Sequence, residues 1–247
     1  MKKKTSVQFC SNRLVFLFVI VCSSLLLNGT IINIPAEHPT IQEGINASTN
    51  GDTVLVYPGT YYENINLNGH HITLASLELT TGNEAYIDST IINGNQNGNC
   101  IKIINEEQDV VIRGFSITNG CEELLFGILN EGAGIVIMTY PFTEISSVSI
   151  INCKIFNNTS LGGGGGIRCH NADMILSGVD IYDNYSSSGG GIFANYECNI
   201  MFDEINRCNI YNNYAASGSD ILVVEAVNDI HVVLGTFTVL EPDGYFA

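Results

Sequence analysis

Basic residues are scarce. The 247-residue chain holds nine lysines and arginines against 25 aspartates and glutamates. Four of the nine (Lys2, Lys3, Lys4 and Arg13) fall in the first 29 residues, which carry no acid. Residues 30–247 therefore hold five basic against 25 acidic side chains, a net charge of −20. A surface of that sign repels nucleic acid and anionic membrane. A polyanionic polysaccharide would approach it only with calcium as a bridge, and in the simplest reading the acids keep an exported protein in solution. A long hydrophobic run is lacking too. Leu14 to Leu27 is apolar apart from Cys22-Ser23-Ser24, 14 residues in all, against the roughly 20 that a spanning helix needs. After three lysines such a run reads as a secretory leader. The expected division is a signal peptide over 1–29 and one domain over 30–247 with no membrane span. No Cys-x-x-Cys pair and no Cys/His spacing suits zinc, and no Gly-Lys-Ser/Thr follows the glycines at 162–166, which excludes a zinc module and a phosphate loop.

What the chain has instead is a repeat. Ile155-Phe156-Asn157-Asn158 leads to Gly164-Gly165-Gly166-Ile167, Ile181-Tyr182-Asp183-Asn184 to Gly189-Gly190-Gly191-Ile192, and Ile210-Tyr211-Asn212-Asn213 to Gly218-Ser219-Asp220-Ile221. A looser copy runs from Ile117-Thr118-Asn119-Gly120 to Gly132-Ala133-Gly134-Ile135. The first isoleucine recurs at 117, 155, 181 and 210, in steps of 38, 26 and 29. Periods of that size mean stacked supersecondary units. β-Branched residues broken by Asn, Gly and Ser make each unit strand-turn-strand. Such units stack into an all-β solenoid, a single-stranded right-handed parallel β-helix of about eight coils.

Alternation along each strand sorts the side chains. Phe115, Cys153, Val179 and Cys208 should face inward with the first isoleucine, and Ile137, Cys169, Ala194 and Val223 with the second. Ser116, Lys154, Asp180 and Asn209 should face outward, as should Thr118, Phe156, Tyr182 and Tyr211. Asn158, Asn184 and Asn213 should bond amide to amide between coils. Three of the six cysteines beyond the leader (Cys153, Cys169 and Cys208) take inward positions. Cys153 and Cys208 lie two coils apart, beyond disulfide reach, so the thiols are expected to stay mainly free and buried. Upstream, Thr40-Ile41-Gln42-Glu43 is a capping-box pattern that starts a short helix with Ile41, Ile45 and Ala47 on its apolar face. It would cover the open end of the solenoid. Residues 76–90 and 121–131 are longer connections. After Val239, Glu241-Pro242-Asp243-Gly244 reads as a turn with no cap behind it, so the C-terminus is expected either to be covered by a partner or to be truncated.

The repeat phrase, with Gly51-Asp52-Thr53-Val54-Leu55-Val56-Tyr57-Pro58-Gly59-Thr60, resembles the β-helix proteins of the pectin-lyase-like superfamily. Its Asn-then-Gly-Gly-Ile rhythm is also similar to repeats of polymorphic outer membrane proteins, which are surface adhesins. The resemblance covers residues 31–240. It implies either a lyase or hydrolase, or a non-catalytic surface protein. The lyases it points to use stacked acids holding calcium and a basic residue, for which Arg168, Asp173, Asp180 and Asp183 are the candidates, with Asp203, Glu204 and His170 nearby. The glycosidase branch's Asp-Asp, Gly-His-Gly and Arg-x-Lys motifs are not found. Asp220, in half of a calcium β-roll phrase, is the metal candidate, so calcium is the one cofactor in view. The aromatics Phe156, Tyr182 and Tyr211, with Tyr185 and Tyr214, form rows that could stack on sugar rings or grip a protein. The expected function is an exported or cell-surface, adhesin-like, non-catalytic β-helix that binds a polysaccharide or a surface protein, alone or within a larger assembly. The alternative is a polysaccharide lyase or glycoside hydrolase.

Overall fold

The computed structural model describes residues 29–121, 123–125, 128–130, 132–139, 145–224, 231–233 and 237–239; the segments 123–125, 128–130, 231–233 and 237–239 are described as backbone. Residues 1–28 of the expected leader and the turn after Val239 lie outside these residues, as do Phe126 and Gly127.

Each coil has three strand faces, and every face repeats in parallel register. On the first, Ile65, Ile101, Ile135, Ile167, Ile192 and Ile221 stand one above another. The second is a seven-stranded sheet that stacks Ile92, Ile117, Ile155, Ile181 and Ile210. The third stacks Ile32, Val54, Leu74, Ile112, Ile150, Leu176 and Phe202. All these columns are buried and merge into one core. Each such side chain contributes about 1.5–3 kcal/mol on leaving water. The result is an all-β parallel β-helix. The inward positions read from the repeat hold: Phe115, Cys153, Val179 and Cys208 are buried, and Val223 packs against the core from a partly covered position. The third column is one that registering the repeat on two isoleucines does not find.

The first and third faces join where two 11-residue strands, Ile167–Ser177 and Ile192–Phe202, run around a corner. There Asn171 and Tyr196 take positive φ, 53° and 58°, and the register shifts between His170 and Ala172. The long connection after Gly120 contains an antiparallel pair, Glu123–Leu125 with Ile128–Asn130.

Helix α1 (Ile41–Ala47) starts as its sequence directs: Thr40 Oγ1 accepts from Glu43 N at 3.1 Å. A second acceptor comes from the next coil, where the Glu63 carboxylate takes Ile41 N at 2.9 Å and Gln42 N at 3.0 Å. The apolar face is Ile41, Gly44 and Ile45, whereas Ala47 is exposed. Gly44 takes the place of Ala47 on that face, and a Cβ on Gly44 would come 2.6 Å from Ile34 Cδ1, so a larger residue would have to displace that side chain.

The connection at 76–90 folds into α2 (Glu78–Thr81) and α3 (Ala85–Ser89). Helix α3 packs on the second sheet at strands Thr90–Asn93 and Ser116–Thr118. Ser116 and Thr118, expected to face solvent, are consequently buried. Glu78 is anchored by Arg113, whose Nε and Nη2 donate at 2.7 and 3.1 Å, and by Asn152 Nδ2 at 2.9 Å. No helix among the described residues is long and apolar enough to cross a membrane.

Two carboxylates tie the N-terminal coils and make stability pH-dependent. Asp52 accepts from the backbone and hydroxyl of both Thr49 and Thr30, at 2.7–2.9 Å. These bonds, led by the Thr49 N–H, hold its pKa at about 2 rather than 3.8. The Arg113 guanidinium likewise lowers the pKa of Glu78. A carboxylate depressed in the folded state adds stability above its unfolded pKa and loses it as pH falls through the folded value. Chemical denaturation between about pH 6 and pH 2.5 should therefore show a steep acid-side loss from about pH 4 downward. Asp52→Asn should be less stable at neutral pH, with a shallower acid slope. Parallel slopes would overturn the assignment.

Candidate functional site

The phrase Ile-x-Asn/Asp-Asn divides its two polar residues between two tasks. Asn119, Asn157, Asp183 and Asn212 all take left-handed backbone conformations, φ 53° to 55°, where Asn and Asp are the favoured non-glycine residues. The next residue turns inward. Asn158 Nδ2 donates to Asn184 Oδ1 at 3.0 Å, Asn184 Nδ2 to Asn213 Oδ1 at 2.9 Å, and Asn213 Nδ2 to Asp220 Oδ1 at 2.9 Å. The ladder begins where Gly120 N donates to Asn158 Oδ1 at 2.8 Å. Asp220, the metal candidate, is thus buried as the terminal acceptor of the asparagine ladder, and Asp183 is a corner residue.

Two outward columns run side by side on the second sheet. Lys154, Asp180 and Asn209 form one and Phe156, Tyr182 and Tyr211 the other. Asn209 Nδ2 donates to Asp180 Oδ1 at 2.8 Å. The Phe156 and Tyr182 rings lie 5.1 Å apart and 3° from parallel, and Tyr182 and Tyr211 5.2 Å and 6°. Tyr185 and Tyr214 repeat this at 5.3 Å and 10° and are more exposed, at 48% and 63%. Strand spacing and ring spacing nearly coincide, so the faces stack on one another and the column shows its edges to solvent. A sugar would meet ring edges and phenol oxygens along the column, and a ring face only at its ends. Burial, Tyr211, and the nearby Asp180, Asp183 and Asp88 push the Tyr182 phenol up to about 12. It stays a neutral donor over the physiological range.

Beside the columns lies a groove of about 480 Å³. Helix α3 lines it with Ala85, Ile87 and Asp88, the second sheet with Lys154 and Asp180, and the segment after Phe202 with Ile205, Asn206 and Arg207. Asp88 pairs with Lys154 across the groove, and Ile205 is 89% exposed at its rim. The lining mixes Glu84, Asp88 and Asp180 with Lys154 and Arg207, so it offers both donors and acceptors. Lys154 and Asp180 were legible as an outward column. Asp88 was not, because it comes from a connection with no repeat; Asn83, whose Oδ1 accepts from Ala85 N at 3.1 Å, is the local signal for the turn that leads into α3.

The expected lyase-like set is not brought together. Arg168 does lie on the outer side of its strand, but it is only 4% exposed, with its guanidinium 4.2 Å from the Phe193 ring centre. The outer column to which it belongs, Val136, Arg168, Phe193 and Leu222, is buried throughout. Glycine-rich turns lie against it: a Cβ on Gly163 or Gly189 would come 2.6 or 2.8 Å from Phe193, and one on Gly218 2.7 Å from Leu222. His170 is buried, with Nδ1 2.7 Å from Asn195 Oδ1 and its ring against Tyr196. Asp173 bonds Asn199 on the third face, Asp180 lies on the second sheet, and Asp203 accepts from Ser177 Oγ at 2.7 Å. No group of three or more His, Cys, Asp or Glu side chains among the described residues is placed to hold a metal ion.

Fold and surface together define a parallel β-helix with an aromatic ladder and a mixed-charge groove on one sheet. No protein-family model and no curated protein matches the chain. Among solved structures it is similar to the pectin methylesterase of Aspergillus niger, at 14% identity over 87% of this chain and 81% of that one, with a TM-score of 0.35. So low a score carries no argument about either fold or chemistry, and the β-helix here rests on its own strand register.

Proposed function

We propose that the protein is an exported or cell-surface, non-catalytic β-helix that binds a glycan along its second sheet. The observation that carries this is the pairing of a mixed-charge groove with an adjacent row of phenol edges. Hydroxyl-rich ligands need donors and acceptors at short intervals, and Lys154, Asp180, Asn209, Tyr182 and Tyr211 supply both at a fixed coil spacing. The basic and apolar N-terminal segment supports export, and the acidic remainder fits an extracellular surface better than one facing nucleic acid or anionic lipid. The lyase or hydrolase alternative is favoured by no observation, since its candidate base Arg168 is buried with its guanidinium against the Phe193 ring.

The test is a glycan array probed with the full chain, beside the double variant Asp180→Asn, Tyr182→Ala. The expected result is selective retention on a set of glycans, weakened at least about tenfold in the variant, the scale of losing one or two good hydrogen bonds. No retained glycan, or retention indifferent to both substitutions, would sink the proposal. Capture of a surface protein with no glycan dependence would replace it with the protein-binding form.

A further inference from the structure

All six cysteines from Cys100 onward are free thiols in this structure. Two of them are unlike the rest. Cys169 sits before the corner of strand Ile167–Ser177, and Cys198 sits after the matching corner of Ile192–Phe202, one coil further on. The register shift between His170 and Ala172 sets Cys198 directly opposite Ala172. Both thiols turn back into the same corner. Cys169 Sγ donates to Ala172 O at 3.7 Å, and Cys198 Sγ to Asn195 O at 3.1 Å. Both side chains are buried in the core, and the two thiols lie within reach of each other. Elsewhere inward cysteines are separated along the stack: Val179 stands between Cys153 and Cys208.

We propose that Cys169 and Cys198 form an inter-coil disulfide when the chain folds in an oxidising compartment. Cys169 stacks on Ala194 and Cys198 on Ala172, and the corner between them turns both sulfurs inward toward each other, as a disulfide requires. Whichever of the two thiolates forms first attacks a small-molecule disulfide such as oxidised glutathione and releases one thiol. The other cysteine, giving up its proton, then attacks the first sulfur of the mixed disulfide and releases the second thiol. The net change is two cysteine thiols oxidised to one disulfide and one small disulfide reduced to two thiols, which carry both protons. The exchange takes place during folding, before the coil buries both sulfurs. The bond would close a 28-residue segment that includes the Asn184 coil, and so would oppose separation of coils at the turn covering Arg168.

The experiment refolds the full chain in a glutathione buffer poised as in a secretory compartment. Free thiols are then alkylated under denaturing conditions without reduction, and the digest is mapped by mass spectrometry. A cross-linked peptide pair carrying Cys169 and Cys198, with Cys100, Cys153 and Cys208 alkylated, is the expected result. A companion measurement needs no variant: reductant should lower the melting temperature of the oxidised protein by roughly 5 °C or more. Cys169→Ala should abolish that reductant effect, as should Cys198→Ala. Full alkylation of both cysteines, or pairing of either with another cysteine, would overturn the proposal.

Discussion

Replacing Asn184 with leucine is expected to cost about 3–5 kcal/mol of stability, because a buried, fully connected polar network is left half-satisfied. The side chain is 1% exposed. Its amide donates to Ile155 O and to Asn213 Oδ1, both at 2.9 Å, while its Oδ1 accepts from Asn158 Nδ2 at 3.0 Å and Asn158 N at 3.1 Å. Leucine has nearly the right volume but answers none of these groups, which lie buried inside the coil. Loss of packing is not the main term; loss of partners is. Asn213→Asp extends the test, since it would set a second carboxylate against Asp220 and should destabilise more at neutral than at acid pH. Urea denaturation monitored by far-UV circular dichroism measures both. A leucine variant within about 1 kcal/mol of the parent would show that the ladder is ornamental.

The second large effect is expected at Gly191. A Cβ built there lies 2.4 Å from Asp220 O, and the same column gives 2.4 Å at Gly134 and 2.6 Å at Gly166, each against a glycine or aspartate carbonyl of the next coil. None of these three glycines has positive φ, so the demand is one of close approach, not of conformation. Coil spacing there is held by Gly191 N to Ser219 O at 2.9 Å and Ile192 N to Asp220 O at 2.8 Å. Alanine cannot enter without stretching those bonds, and backbone cannot yield as a side-chain tip can. Gly191→Ala should cost about 3 kcal/mol, at the upper end for overpacking. Gly59→Ala is the control, because its nearest neighbour would be Tyr61 Cε2 at an ordinary 3.5 Å; it should be near neutral. Equal melting temperatures for the two variants would refute the close-approach account.

The two effects share a cause, which also shows how much the sequence revealed. The repeat phrase predicts an asparagine ladder, and glycine as a residue type suggests a flexible corner. The ladder is there, bond for bond, at Asn158, Asn184 and Asn213. The glycines do more than flex. Gly189 and Gly218 take positive φ, 60° and 59°, whereas Gly166 and Gly191 are small because another coil passes within a carbonyl's reach. A one-dimensional reading distinguishes these roles poorly, since both are written as glycine. The same limit applied to Arg168: alternation put it on the outer side of its strand, and only the turns folding back over Phe193 decided that the outer side is buried. The aromatic column was legible from register, but that its rings would spend their faces on one another follows from matching spacings in three dimensions.

By itself the sequence determined the class of fold, the inward columns at Ile117, Ile155, Ile181 and Ile210, the ladder, and the outward pairing of a polar with an aromatic column. Those features depend on local alternation and on a period of about one coil, and both are properties of a line of residues. Tertiary structure alone decided the rest. It laid α3 over Ser116 and Thr118, carried Asp88 to Lys154 to make the groove, gave Asp220 to the ladder rather than to a metal, and brought Cys169 and Cys198 to one corner. Three of those four contacts join segments in different coils through a connection or a bulge that breaks the period, and the fourth closes a turn between Asn213 and Asp220 within one repeat; where the period breaks, the repeat no longer states what meets what.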